Sequence, residues 1–206
     1  MSTTEGIRER LKYKDYVKHI NWVFHKIQDP PKIILIGKNS ESVPLRHYNL
    51  RICNIARLDA SVTAPKKTEL FDDFCQRARF EDITADAIIT NSKLAKKYLN
   101  NTNVVILDDD NIVIDPKSLV LAILGSEAFL TNHGRFLFDV PPCPDIRSIG
   151  SDGTTPYITK IVRTVNLNLA NRCSNSRFII EEIKLSVDPD TYDIIDSRVY
   201  LKKERQ

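Results

Sequence analysis

Short apolar runs separated by helical stretches constrain this chain more than any other feature. Residues 32–37 (KIILIG) form one such run. Residues 49–58 (NLRICNIARL), 85–90 (ADAIIT) and 103–107 (NVVIL) are further strand candidates. A short run without polar alternation reads as a strand of the buried type, in a sheet of two or three layers. The sequence between the runs supplies helix signals. Thr63-Ala64-Pro65 places a cap and a first-turn proline ahead of a helix reaching about Phe80. Ser92 caps a short helix over 93–99, and Asp115-Pro116 opens another to Leu124, with Gly125 as its natural stop. Strands alternating with helices over 32–130 predict an α/β unit.

Ahead of that unit, residues 5–28 read as a long amphipathic helix. Tyr13, Tyr16, Val17, Ile20, Val23, Phe24 and Ile27 recur at spacings of 3 and 4 and form a core-facing stripe. Asp29-Pro30-Pro31 is the expected terminator. The opposite side carries Ile7, Leu11, Lys18 and Trp22 near one line, with Arg8, Lys12, His19 and Lys26 beside them. Trp22, the chain's only tryptophan, is thus framed by cations. Such a ring can stack on a nucleobase while its neighbours neutralise phosphates, or anchor a protein partner. The expected interaction face is therefore Arg8, Leu11, Lys12, Lys18, His19, Trp22 and Lys26. Lys93, Lys96 and Lys97 form a second, weaker basic patch.

Toward the C-terminus, residues 141–156 (PPCPDIRSIGSDGTTP) read as a loop. Apolar residues then alternate with polar ones over 157–169, 178–187 and 192–201, the period of a sheet covered on one face. The expected organisation is an N-terminal helix (1–31), an α/β unit (32–140), a loop (141–156) and an antiparallel sheet (157–206) able to share a core with the helix. The expected fold class is α+β, or mixed α/β, ending in a β-meander.

No catalytic constellation stands out. Asp108-Asp109-Asp110, with Asp115 nearby, follows an apolar strand, where carboxylates can hold Mg²⁺. The same residues suit a hairpin turn between NVVIL and NIVI, which is the reading adopted. Gly37-Lys38-Asn39-Ser40 fails as a phosphate loop, since Lys32 stands where the first glycine is needed and Asn39 where Ser or Thr is needed. Cys53, Cys75, Cys143 and Cys173 contain no close pair, so neither a zinc site nor any cofactor is expected. No apolar run approaches the roughly 18 residues that cross a bilayer, and residues 1–20 lack the apolar stretch of a secretory signal. An intracellular location away from the membrane is expected.

The function expected on these grounds is a non-catalytic interaction or assembly subunit, nucleic-acid-associated, engaging a protein partner or a second copy through the Trp22 face. The alternative is a small Mg-dependent phosphoryl-transfer or nuclease-type enzyme built on Asp108, Asp109 and Asp110.

Overall fold

The computed structural model describes residues 4–26, 31–37, 51–55, 99–141, 154–187 and 194–206. In chain order their elements are α1 (Thr4–Val23), β1 (Lys32–Gly37), β2 (Arg51–Ile55), β3 (Thr102–Asp108), α2 (Asp110–Ile114), α3 (Pro116–Glu127), β4 (Leu130–Val140), α4 (Thr154–Asn171), β5 (Ser176–Val187) and β6 (Ile194–Arg205). The strands make a single sheet in the order β2-β1-β3-β4-β6-β5. Strands β1 to β4 run parallel, and β6 lies antiparallel between β4 and β5. Among the described residues no helix is long and apolar enough to cross a membrane. The helices expected after Thr63 and Ser92, the strand expected at 85–90 and most of the Pro/Gly-containing loop lie outside the described residues.

Period-2 alternation sorts the sheet residues onto two faces. Ile33 and Leu35, Val104 and Ile106, Leu137, and Tyr200 face α1, which buries Tyr13, Tyr16, Val17 and Ile20 against them. Ile34 and Ile36, Val105 and Leu107, Phe136 and Phe138, and Val199 and Leu201 face the other way, into a core shared with α3 and α4. Both faces of β1 are therefore covered, which settles the layer count at three and accounts for its unbroken apolar sequence. Each fully buried aliphatic side chain is worth about 1.5–3 kcal/mol, so the α1 stripe alone holds the helix down by several kcal/mol. α1 stops earlier than Asp29-Pro30-Pro31 would dictate. The His25 ring lies 2.7 Å from the Trp22 carbonyl, and its Nδ1–H donates to one of the last free carbonyls of the helix.

Three expectations are corrected. The first concerns 157–169, which are not a strand but the middle of α4, with Tyr157, Ile158, Ile161, Val162, Val165 and Leu169 buried. Residues four apart satisfy both the strand and the helix period, and Leu167, which completed the apparent alternation, is 57% exposed. There is accordingly no separate C-terminal meander: β5 and β6 extend the main sheet. The second concerns 108–114, which form no hairpin. Asp109 caps α2 by accepting from the Asn111 and Ile112 amides, and Asp115 caps α3 by accepting from the Ser118 amide and hydroxyl. Acidic caps complement the positive end of a helix. The third concerns Gly125, which lies inside α3 rather than ending it.

Between Leu130 and Arg135, β4 makes a detour, since Thr102 and Val104 of β3 pair with these two residues. His133 takes a positive φ of 66° within it. A Cβ on Gly134 would sit 2.9 Å from Leu130 Cδ2, 3.0 Å from the Thr131 carbonyl oxygen and 3.2 Å from that of Asn103. Backbone oxygens cannot step aside as side chains do. Gly134→Ala should cost about 1–3 kcal/mol, read as a lower urea midpoint at unchanged slope; an unshifted midpoint would contradict the close approach.

Candidate functional site

From β1 the chain steps outward to β2, yet β3 lies on the opposite side of β1. This reversal is a topological switch point. In open α/β sheets it leaves a crevice beyond the carboxyl ends of the two strands, where ligands bind. Gly37 and Asp108, the last residues of β1 and β3, are register partners at that edge.

The edge carries carboxylates on the face beneath α1. Asp108 accepts from Lys12 Nζ at 2.5 Å and from the Tyr13 hydroxyl at 2.8 Å. Asp139, next to the end of β4, accepts from the Tyr16 hydroxyl at 2.6 Å. Arg198 of β6, 3% exposed in its side chain, donates to Asp15 at 2.7 Å and lies 3.9 Å from Asp139 and 3.6 Å from Asp196. Asp15 also takes Lys184 at 2.8 Å. α1 thus crosses the sheet as an apolar stripe whose polar side chains meet the charged ends of β3, β4 and β6. Burial, then the nearby Asp196 charge, pushes the Asp139 carboxyl up to about 6, against the pull of Lys12, Tyr16 and Arg198. Burial and Asp139 likewise push the Tyr16 phenol upward, so it remains a donor.

Farther along α1, His19 Nε2 lies 3.1 Å from Glu181, which also receives two bonds from Arg135, at 2.8 and 2.6 Å. Glu181 is the extra residue where β5 slips register against β6, between Ile180 and Glu182. A bulge of this kind re-aims a side chain. Burial opposes the Glu181 charge, but the bonds from His19 and Arg135 outweigh it and hold the carboxyl at about 2. A depressed carboxyl adds stability above its unfolded value near 4.5 and loses it as the pH falls toward 2. Glu181→Gln should flatten that acid limb of the urea midpoint, removing about 1–2 kcal/mol of pH-dependent stability once partial exposure is discounted. An unchanged limb would refute the assignment.

The residues expected on one interaction face are dispersed. Lys12 is engaged by Asp108 and is only 14% exposed in its side chain. His19 is buried against the Tyr200 ring, with centroids 4.2 Å apart. Lys18 and Lys26 are exposed, and Trp22 is 69% exposed. The Arg8 and Leu11 side chains, and all of Lys93, Lys96 and Lys97, lie outside the described residues. Lys18, His19 and Trp22 do share one shallow pocket, but with Asp15, Glu182, Lys184 and Tyr200. Its charges are mixed rather than basic. The wheel missed this because it arranges one helix and cannot show the carboxylates that β5 brings beside it.

Asp108, Asp139, Arg198 and Glu181 gather at or near this face from separate strands. The signal available in sequence was a charged residue interrupting or ending a buried strand. The metal alternative is corrected here as well: Asp108 is occupied by Lys12 and Tyr13, while Asp109 and Asp115 serve as caps. Among the described residues no group of three potential ligands could hold a metal ion.

No protein-family model matches the chain, and no curated protein matches it in sequence. Likeness is found in the fold. The Haemonchus contortus phosphoethanolamine N-methyltransferase 2, solved with phosphomonomethylethanolamine and S-adenosylhomocysteine, matches with a TM-score of 0.57 at 11% identity, over 95% of this chain and 38% of that one. The N-methyltransferase NodS of Bradyrhizobium japonicum WM9 matches with a TM-score of 0.51 at 10% identity, over 93% of this chain and 96% of that one. The plantazolicin methyltransferase BpumL, solved with S-adenosylhomocysteine, matches with a TM-score of 0.50 at 11% identity, over 96% and 84%. The chain spans less than two fifths of the length of the Haemonchus contortus enzyme. These likenesses overturn the expectation of a non-catalytic assembly subunit, together with its phosphoryl-transfer alternative. The mixed sheet, with its antiparallel β6 inserted next to the edge strand, is a fold that methyltransferases use.

Proposed function

We propose that this chain is a methyltransferase domain that takes S-adenosylmethionine at the carboxyl edge between β1 and β3. The observation that carries the reading is the switch point at Gly37 and Asp108, set in a sheet of the same fold as NodS and the Haemonchus contortus enzyme. When bound, S-adenosylmethionine supplies an electrophilic methyl group on a positively charged sulfur.

The donor set suits such a molecule. Its ammonium and two ribose hydroxyls seek acceptors and its sulfonium a negative field; the edge offers the Asp108 carboxylate, with Asp139 buried behind it under Tyr16. Lys12 and Tyr13 hold Asp108 in place while each of its oxygens keeps a second lone pair. Tyr16 fixes Asp139, whose carboxyl, at about 6, can hold or release a proton near neutrality. α1 covers these groups and keeps water from them. One departure from the dinucleotide fingerprint is plain in the sequence: residues 38–50 contain no glycine. Gly37 alone offers the close backbone approach that a glycine-rich turn provides repeatedly.

Isothermal titration of the protein with S-adenosylhomocysteine tests the reading. A saturable one-to-one isotherm, with Kd between about 1 µM and 1 mM, is expected. No heat at millimolar ligand, with the protein shown to be folded, would overturn it.

A further inference from the structure

On the face of the sheet opposite α1, α3 and α4 run side by side and leave an open groove of about 620 Å³. Its walls are apolar, including Val120, Leu121, Tyr157 and Ile161, and two large side chains along it face solvent, Ile114 at 41% and Leu121 at 43% exposure. The charged side chains lining it are Lys117, Lys160 and Arg172, with no acidic residue among its lining. None of the three makes an ion pair with another described residue. Lys117 feels the Asp115 carboxylate two residues before it. Helix surfaces usually intersperse both signs of charge, and cations outside an ion pair beside exposed leucine add little to the monomer's stability.

The spacing of the cations narrows what can lie there. Lys160 lies in α4 and Arg172 directly follows its last residue, twelve residues on, about 18 Å at the helical rise, with Lys117 across the groove. A long-chain acid has one charged head and would leave the distant cations without a counterion. An α-helix of three or four turns spans the same length and can offer carboxylates along both edges of an apolar stripe. We infer that the α3–α4 groove docks an acidic amphipathic helix of a protein partner, its apolar stripe on Leu121, Val120, Tyr157 and Ile161 and its carboxylates on Lys117, Lys160 and Arg172. The inference does not rest on methyl transfer, since the groove lies on the opposite face of the sheet from α1.

The probe is a fluorescein-labelled 16-residue helical peptide with leucines at positions i, i+3, i+4 and i+7 and glutamates flanking them. Two companion peptides carry glutamine or lysine in place of glutamate. Anisotropy is read against the full chain. The glutamate peptide should bind at least tenfold more tightly than the glutamine one, and binding should weaken as salt rises. Leu121→Asp should lose binding at least tenfold, while Lys160→Glu/Arg172→Glu should reject the glutamate peptide and gain the lysine peptide. That exchange is a readout that misfolding cannot imitate. Equal binding of all three peptides, or no binding, would overturn the inference. So would displacement by palmitate at concentrations below its micelle point, which would make the groove a lipid site. A dimer in sedimentation that Leu121→Asp dissociates would equally overturn it, by making the occupant a second copy. S-adenosylhomocysteine binding, measured on the same variants, should be unchanged, which separates failure here from failure of the methyltransferase reading.

Discussion

Arg198→Met is expected to lower unfolding stability by about 3–5 kcal/mol, the range for removing one partner of a buried ionic group. Arg198 lies under α1 with Asp15, Asp139 and Asp196 around it. Its side chain is 3% exposed, that of Asp139 5% and that of Asp196 fully buried. Methionine fills similar volume but takes the guanidinium from among the three carboxylates, leaving Asp15 with Lys184 at 2.8 Å and Asp139 with the more distant pull of Lys12. The pH dependence should change with it. Asp139 has a folded value of about 6 against an ordinary 3.8. For an acid raised on folding, the contribution to stability is fully present below the unfolded value and is lost as the pH rises through the folded one. At about 1.4 kcal/mol per pKa unit, the ionised Asp139 opposes folding by on the order of 3 kcal/mol at neutral pH. Without Arg198 that opposition grows, so the variant should be rescued by acid between pH 7 and 5 more steeply than the wild type. Asp139→Asn in the same chain should recover part of the loss and abolish the added steepness. A loss under 1 kcal/mol with an unaltered pH profile would refute this account of the cluster.

The cluster also shows what could and could not be read from the sequence. KIILIG matches β1 to the residue, because a strand buried on both faces shows as a short unbroken apolar run. The α1 stripe was equally legible: Tyr13, Tyr16, Val17 and Ile20 are buried as their spacing predicts. α4 was misread because its apolar residues fall four apart, a spacing common to both periods, and only tertiary burial distinguishes them. Of the carboxylates that end or follow the strands, Asp109 and Asp115 cap helices through near neighbours, whereas the roles of Asp108 and Asp139 depend on partners distant in the chain. Lys12 is 96 residues from Asp108, and Tyr16 is 123 from Asp139. No local window contains both members of such a pair. The hydroxyls of Tyr13 and Tyr16 were hidden for a related reason, since a tyrosine on an apolar stripe reads as core until something is found at its tip. The switch point is a property of strand order alone, and strand order is not written in any one segment.

Asp108→Asn should weaken S-adenosylhomocysteine binding by about 30- to 1,000-fold, the loss that follows when a charged hydrogen-bonding group at a ligand site is neutralised, about 2–4 kcal/mol. The substitution keeps shape and β3 register, so the sheet itself has little reason to change. It does release Lys12, whose ammonium is part-buried and pairs with Asp108 at 2.5 Å. Some stability is therefore lost as well, and a control must separate the two effects. Lys12→Met provides it. If Asp108 meets the ligand itself, freeing its carboxylate from Lys12 leaves binding within a few fold of wild type, while Asp108→Asn weakens it by the full factor in either background. If Asp108 serves only to seat α1, Lys12→Met and Asp108→Asn should weaken binding and lower the urea midpoint in step. Titration calorimetry and urea unfolding on the two single variants and the double variant decide between these outcomes. Parallel losses would remove Asp108 from the ligand site and leave the crevice at Gly37 and Asp139 to account for the cofactor.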